Sequence, residues 1–370
     1  MDAHCPLLLL SGLPLARNPS FLRQLDSLAA VWRGQGRIVL LGGPVFPDPQ
    51  SQMRQIARAG KTVGDPHWRL AGSNGEPLAM EELLPRTVVQ TMILLGYPDQ
   101  FPFLYGSIQT TPSYLWSQFS RLPEGVLPQS PIYIPLTERT ASHLRAVGCS
   151  RLGPVIPHGV DAAVFAPSGK PVPGRTHTFV VGTVANNSRR KRLDLIIRSF
   201  ALFSRRRPNS RLLIRTNRLV SLDGLDLPDL IARENLEHRV EIILAELTGS
   251  RMAELYNRMD LYLNLSEWEG FCIPAIEAMA CSVPVVSPPI QGPGEILPYS
   301  DTLIPDCRIH EEDGTLLYEA DPRVVSTVLC GLADDRELRQ RLGREGREAV
   351  LSCYDMRRVA AQWDGLLQRM

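Results

Sequence analysis

The regular part of the pattern lies in the second half of the chain, where short β-branched runs alternate with apolar positions at helical spacing. Phe179-Val-Val-Gly-Thr-Val184 reads as a strand. Leu195, Ile196, Ser199, Phe200 and Phe203 then recur on one face of a helix over 192–206. Residues 211–216, 239–244, 260–265 and 283–287 predict further strands, separated by helices over 227–235, 249–258 and 273–281. Strands alternating with helices predict a parallel, doubly wound sheet. Helices over 322–333, 336–352 and 356–368 close the chain.

The first half is less regular. Residues 7–10, 37–41, 88–95 and 131–135 read as strands, and 18–33 and 138–147 as helices. Residues 46–85 are polar, contain Gly and Pro, and predict no element. Two runs, 97–105 and 109–116, are rich in aromatics, which fits either sugar-stacking loops or core packing. Pro167-Ser-Gly-Lys-Pro-Val-Pro-Gly174 reads as a linker. The expected fold class is α/β, with a first Rossmann-like domain over 1–168, a second over 169–353, and a helical segment over 354–370.

Composition changes this picture little. The 370 residues are 44% hydrophobic and 21% charged, with a formal net charge of +1, so no global charge points to nucleic acid or an anionic membrane. The apolar start breaks at Ser11-Gly12 and Pro14 and lacks a preceding cationic stretch, so it predicts a buried strand rather than a signal peptide. No apolar run approaches the ~18 residues that a membrane span needs. Seven scattered cysteines with no Cys-x-x-Cys pair argue against a zinc site or disulfide framework and point to the cytoplasm.

Candidate chemistry gathers in the strand-to-helix loops, which in a doubly wound sheet converge on the ligand. Ser266-Glu-Trp-Glu-Gly-Phe-Cys272 runs directly into a helix with Pro274 near its first position. The amides of Gly270, Phe271, Cys272 and Ile273 would point out of a helix N-terminus, a site suited to phosphate. Glu277, one turn inside, would repel a phosphate but can bind a neutral diol, and Glu269 can hold a second set of hydroxyls. Carboxylates on either side of an anion-binding turn suit a ligand shaped diol–phosphates–diol, which is a nucleoside diphosphate sugar. Arg189, Arg190, Lys191 and Arg192 supply counter-charge for a diphosphate leaving group. Arg205-Arg-Arg207 ends a helix, where the dipole favours cations. No Asp-x-Asp occurs to hold a metal on a diphosphate, so cationic side chains are expected to do that work without one. Neither a P-loop nor a Gly-x-Gly-x-x-Gly after the first strand is present.

With these residues in view, the chain resembles glycosyltransferase family 4, retaining enzymes of GT-B architecture, over most of 131–370. Glu269 and Glu277 match the E-x7-E motif within residues 266–286, and Lys191-Arg-Leu-Asp-Leu-Ile-Ile197 resembles the phosphate-binding lysine and its helix. Val155-Ile-Pro-His-Gly-Val-Asp161 with Phe165-Ala-Pro167 resembles the signature near the hinge, and Gly294-Glu295 and Tyr354-Asp355 resemble further family pairs. The resemblance implies two Rossmann-like domains facing a central cleft, with the final helix crossing back to the first. It implies that Glu269 faces the donor sugar, Glu277 the ribose diol, and Lys191 with Arg190 the diphosphate, while Gly12 closes over the phosphates, with Gly42-Gly43 as the competing candidate.

Three departures stand out. Cys272 and Ser282 replace family glycines, and Gly182-Thr-Val-Ala-Asn186 replaces the usual Gly-Arg-Leu segment. His4, His67 and His143 do not suit the role of a first-domain histidine, and His158 reads as structural. The implied activity is retaining hexosyl transfer from a UDP- or GDP-sugar co-substrate to a carbohydrate, lipid-linked or small-molecule acceptor. The expectation is of no metal or other cofactor and no nucleic-acid partner, with peripheral membrane contact allowed. A non-catalytic GT-B protein that binds a nucleotide sugar or partners an active subunit stays open as an alternative, as does an epimerase or phosphorylase on the same architecture.

Overall fold

The computed structural model describes residues 7–11, 19–35, 37, 39–44, 68–71, 77–79, 91–97, 112–117, 127–169, 178–305, 307–312 and 315–369. The chain divides into two compact units, one of Met1–His158 with Met356–Met370, the other of Gly159–Asp355.

The first unit contains strands β1 (Leu7–Ser11), β2 (Val39–Pro44), β3 (Trp68–Ala71), β4 (Pro77–Ala79), β5 (Thr91–Gly96), β6 (Ser113–Ser117) and β7 (Ile132–Pro135). Their order in one sheet is β4-β3-β2-β1-β5-β6-β7, and helices α1 (Pro19–Gly34) and α2 (Glu138–Ala146) accompany it. Strands β2, β1, β5, β6 and β7 run parallel, while β3 and β4 add an antiparallel edge. All six residues of β5 are buried, as a strand covered on both faces requires. Strand β6 falls at the end of the aromatic run 109–116, and it is core. Tyr114 and Trp116 are almost fully buried, and the Trp116 indole donates to the Ile156 carbonyl at 2.7 Å. Residues 98–111 lie outside those described.

The second unit contains strands β8 (Phe179–Val184), β9 (Ser210–Arg215), β10 (Val240–Ile243), β11 (Leu261–Leu263) and β12 (Val285–Val286). They form a sheet of order β10-β9-β8-β11-β12, every neighbouring pair parallel. Helices α3 (Leu193–Arg206), α4 (Leu227–Arg233), α5 (Gly249–Tyr256) and α6 (Ile273–Ala280) make the crossovers. Leu195, Ile196, Phe200 and Phe203 of α3 are buried in one cluster with residues of β8 and β9, so the helical spacing read from the sequence is the core face. After β12 come the short helix α7 (Pro293–Ile296), a hairpin of β13 (Arg308–Glu312) and β14 (Thr315–Glu319), and helices α8 (Pro322–Asp334) and α9 (Arg336–Ala349).

The chain passes between units at His158/Gly159 and at Asp355/Met356, not at the boundary of 168/169 that the Pro- and Gly-rich run suggests. Residues 159–169 are tied to the second unit. Val160 N donates to the Tyr354 carbonyl at 2.8 Å, and the Arg347 guanidinium donates to the carbonyls of Ala162 (2.9 Å), Phe165 (2.6 Å) and Ala280 (2.6 Å). Beyond the second passage, helix α10 (Met356–Leu367) belongs to the first unit. Trp363 meets Tyr114 and Trp116 edge-on at ring separations of 5.9 and 5.5 Å, and Asp364 accepts from the Trp32 indole at 2.9 Å.

Helix α6 ends in a Schellman turn. Val283 N donates to Ala278 O at 3.0 Å and Ser282 N to Met279 O at 2.9 Å, with Ser282 in the left-handed region at φ 59°. That position favours glycine, because a Cβ crowds the neighbouring carbonyl there. Ser282→Gly is expected to stabilise the protein by about 1 kcal/mol, raising the midpoint of thermal unfolding by roughly 2–4 °C. A scanning-calorimetry midpoint that stays put or falls would refute this.

Candidate active site

The strand order of the second unit reverses direction between β8 and β11, which makes that pair the topological switch point of the sheet. The loops leaving the carboxyl ends of these two strands carry the basic run and the Ser266–Cys272 segment, so the two halves of the predicted site meet by topology alone. After β8 the chain makes a single 3-10 turn over Arg189–Lys191. Arg192, at φ 47°, then reverses the backbone into α3, one residue later than the pattern predicted.

Lys191 and Arg190 converge on Glu269. The Lys191 ammonium pairs with Glu269 Oε1, and Arg190 Nη1 donates to Glu269 Oε2 at 3.1 Å. The Ser266 hydroxyl lies 2.8 Å from Glu269 Oε1 and 2.8 Å from Asn264 Oδ1. Asn264 in turn donates to Ser287 Oγ at 3.1 Å, which links the ends of β11 and β12 to the carboxylate. Burial acts to raise the Glu269 pKa, but Lys191 and Arg190 outweigh it and hold the carboxyl at about 2. Burial and the neighbouring Arg190 push the Lys191 ammonium below the usual lysine range, against the pull of Glu269. Arg190 also stacks on the Trp268 ring at 4.6 Å and donates to the Trp268 carbonyl at 3.1 Å. The acidic and basic residues that the sequence separated into sugar and diphosphate roles thus form one ion-paired cluster.

Glu277 is placed apart from this cluster, inside α6 and 2% exposed. Its Oε2 accepts from the buried Tyr256 hydroxyl at 2.8 Å. Between the two carboxylates runs the start of α6. Phe271 is buried and meets Tyr354 edge-on at 6.0 Å, and Ile273 is buried. The amides of Gly270, Cys272 and Ile273 donate to no acceptor among the described residues. Cys272 caps the helix at φ 77°, a left-handed position where glycine would be unstrained. Burial, with Glu269 adding to it, raises the Cys272 thiol to about 12, so it stays protonated at neutral pH. Gly292, at φ 82°, lets the loop after β12 lie directly on the Phe271 backbone, where any Cβ would clash. Gly12 lies outside the described residues.

Two members of the basic run behave differently. Arg189 is exposed. Arg192 is held by Asp194, Glu267 and Glu319 instead of facing the cluster. His158 is fully buried against Trp116 at 4.9 Å, and burial depresses its pKa to about 3, so it stays neutral. The partners missed in the sequence are Ser266, Tyr256 and Trp268. Ser266 and Trp268 sit within three residues of Glu269, a proximity that could have flagged them, whereas Tyr256 gave no local signal.

Residues 170–349, just under half of the chain, match the family described as glycosyl transferases group 1. Among curated proteins it is similar to N-acetyl-alpha-D-glucosaminyl L-malate synthase of Bacillus anthracis, 31% identical over 30% of this chain and 27% of that protein. It is also similar to GDP-mannose:cellobiosyl-diphosphopolyprenol alpha-mannosyltransferase of Xanthomonas campestris, 31% identical over 39% of this chain and 36% of that protein. The match thus spans well under half the length of either relative. Among solved structures, sucrose-phosphate synthase of Thermosynechococcus elongatus aligns with a TM-score of 0.70 at 17% identity, over 99% of both chains. Anabaena Alr3699/HepE, solved with UDP and glucose, aligns with a TM-score of 0.70 at 16% identity, over 99% of this chain and 100% of that one. The fold is that of the GT-B glycosyltransferases. Among the described residues no helix is long and apolar enough to cross a membrane.

Because Glu269 titrates near 2 when folded and near 4.5 otherwise, its ionised form stabilises the protein above pH 4.5, and that contribution disappears as pH falls from 4.5 towards 2. Urea unfolding of wild type and Glu269→Gln across this range should show the wild-type advantage shrinking by on the order of 3 kcal/mol. A pH-independent difference would contradict the ion-paired assignment.

Proposed function

We propose that this chain is a retaining glycosyltransferase that moves a sugar from a UDP- or GDP-sugar to an acceptor hydroxyl, with no metal or other cofactor. The single observation that carries the reading is the Glu269–Lys191–Arg190 cluster at the β8/β11 switch point, set against the α6 N-terminus. The match of residues 170–349 to the group 1 family and the GT-B fold support it. Phosphate oxygens of the donor compete with Glu269 for Lys191 and Arg190. As they take over those cations, the Glu269 carboxylate becomes an acceptor for sugar hydroxyls, while the amides of 270–273 face the diphosphate. Glu277, oriented by Tyr256, binds the ribose diol. In this exchange one set of cations serves the carboxylate first and the leaving group afterwards.

The chemical step needs no protein nucleophile. As the glycosidic bond lengthens, negative charge grows on the diphosphate, where Lys191 and Arg190 stabilise it. The departing phosphate oxygen takes the proton of the acceptor hydroxyl, which attacks on the same face of the sugar, so the anomeric configuration is kept. The acceptor is a carbohydrate, a lipid-linked sugar or a small molecule, and the reaction belongs to the cytoplasm.

Lys191→Ala and Glu277→Ala are each expected to lower turnover at least about a hundredfold. Glu277→Ala should in addition weaken binding of the free nucleoside diphosphate, measured by titration calorimetry with UDP and GDP. Full transfer activity from UDP- and GDP-sugars in either variant would sink the assignment.

A further inference from the structure

Besides the exposed Arg189, the basic run contains a second cation that the site does not use. Arg192 lies next to Lys191 with a left-handed backbone, φ 47°, a conformation that favours glycine over a side-chain-bearing residue. Its side chain is mostly buried, 15% exposed, and its guanidinium is spent on carboxylates. Nε and Nη2 donate to the two oxygens of Asp194 at 3.1 Å each, Nη1 to Glu267 Oε1 at 2.9 Å, and Nη2 to Glu319 Oε1 at 3.2 Å. A cation ringed by three carboxylates is not available to a phosphate.

Its partners show what it is for. Asp194 lies in the first turn of α3, directly after Arg192, but Glu267 lies in the loop that carries Glu269, and Glu319 ends the β13–β14 hairpin. Glu267 is also anchored through its backbone: its N–H donates to Arg190 O at 2.9 Å, and its carbonyl accepts from Tyr318 N at 3.0 Å. Consecutive residues Lys191 and Arg192 therefore grip alternate residues Glu269 and Glu267 of the facing loop. A slip of one residue would bring Trp268 opposite Lys191 and leave a buried carboxylate unpaired. We propose that Arg192 is a positioning residue that sets the register between the loop carrying Lys191 and the loop carrying Glu269. The inference rests on reading that cluster as the nucleotide-sugar site.

The test uses the full chain and a donor panel of UDP-glucose, UDP-N-acetylglucosamine and GDP-mannose, with Kd from titration calorimetry and a thermal melt of every variant. Arg192→Gly removes the guanidinium while easing the left-handed backbone. It should weaken donor binding on the order of tenfold to a hundredfold, and Arg192→Lys should recover part of that loss. Glu267→Gln, nearly isosteric and able to carry the test if Arg192→Gly does not fold, should reproduce the loss. Asp194→Asn, which disturbs the local contact between Arg192 and the first turn of α3 and leaves the contacts to Glu267 and Glu319, should bind donor within about twofold of wild type even where its melting point falls. An Asp194→Asn defect as large as that of Glu267→Gln would reduce Arg192 to a general stabilising contact and overturn the proposal, as would wild-type affinity in Arg192→Gly or Glu267→Gln. Wild-type protein that binds no member of the panel overturns the donor-site reading itself. Wild-type binding with indifferent variants overturns the role of Arg192 alone.

Discussion

A carboxylate withdrawn from water survives as an anion only if positive charge meets it there, and Glu269 obtains that charge from a different loop. The second unit is organised around this requirement. The parallel order β10-β9-β8-β11-β12 brings the carboxyl ends of β8 and β11 side by side, so segments far apart in sequence meet at one edge of the sheet. The short turn at Arg189–Lys191 and the reversal at Arg192 aim two consecutive cations across it. The Ser287–Asn264–Ser266 chain of hydrogen bonds fixes the carboxylate from below. Each of these devices is local, but each has a use only because the others are in place.

Much of the second unit was legible in the sequence because its strands and helices carry the two hydrophobic periods plainly. Buried parallel strands such as 179–184 read as continuous apolar runs, and α3 shows its core face at every turn. The hairpin β13–β14 escaped because residues 308–311 are all exposed, so no alternation marks them as a strand. Strand β6 was ambiguous for the opposite reason. Its aromatics suit a binding loop as well as a core, and only the partner Trp363, far away in sequence, decides between them.

The site was legible as a set of residues but not as a set of pairings. Residue type and spacing picked out Glu269, Lys191, Arg190 and Glu277, since a charge pattern at a helix start is visible without coordinates. That Lys191 and Arg190 turn to Glu269, and that Tyr256 holds Glu277, depends on contacts between elements, which spacing within one element does not encode. The substitutions at 272 and 282 show the same limit. Both read as small side chains replacing glycine, whereas the cost lies in their left-handed backbone, at φ 77° and 59°.

The passage of the chain between units also has a consequence for how the protein is made. The second unit, Gly159–Asp355, is one continuous stretch, but the first is completed by helix α10. Trp363 of that helix packs on Tyr114 and Trp116, and its Asp364 holds the Trp32 indole of α1. During synthesis the first unit to begin is thus the last to close, because its aromatic core lacks a member until Trp363 has emerged. The second unit can fold meanwhile, since domains generally fold as units once their own residues are available. The order of synthesis and the order of folding run in opposite directions in this chain, and the incomplete face of the first unit stays open for the whole time the ribosome spends on the second.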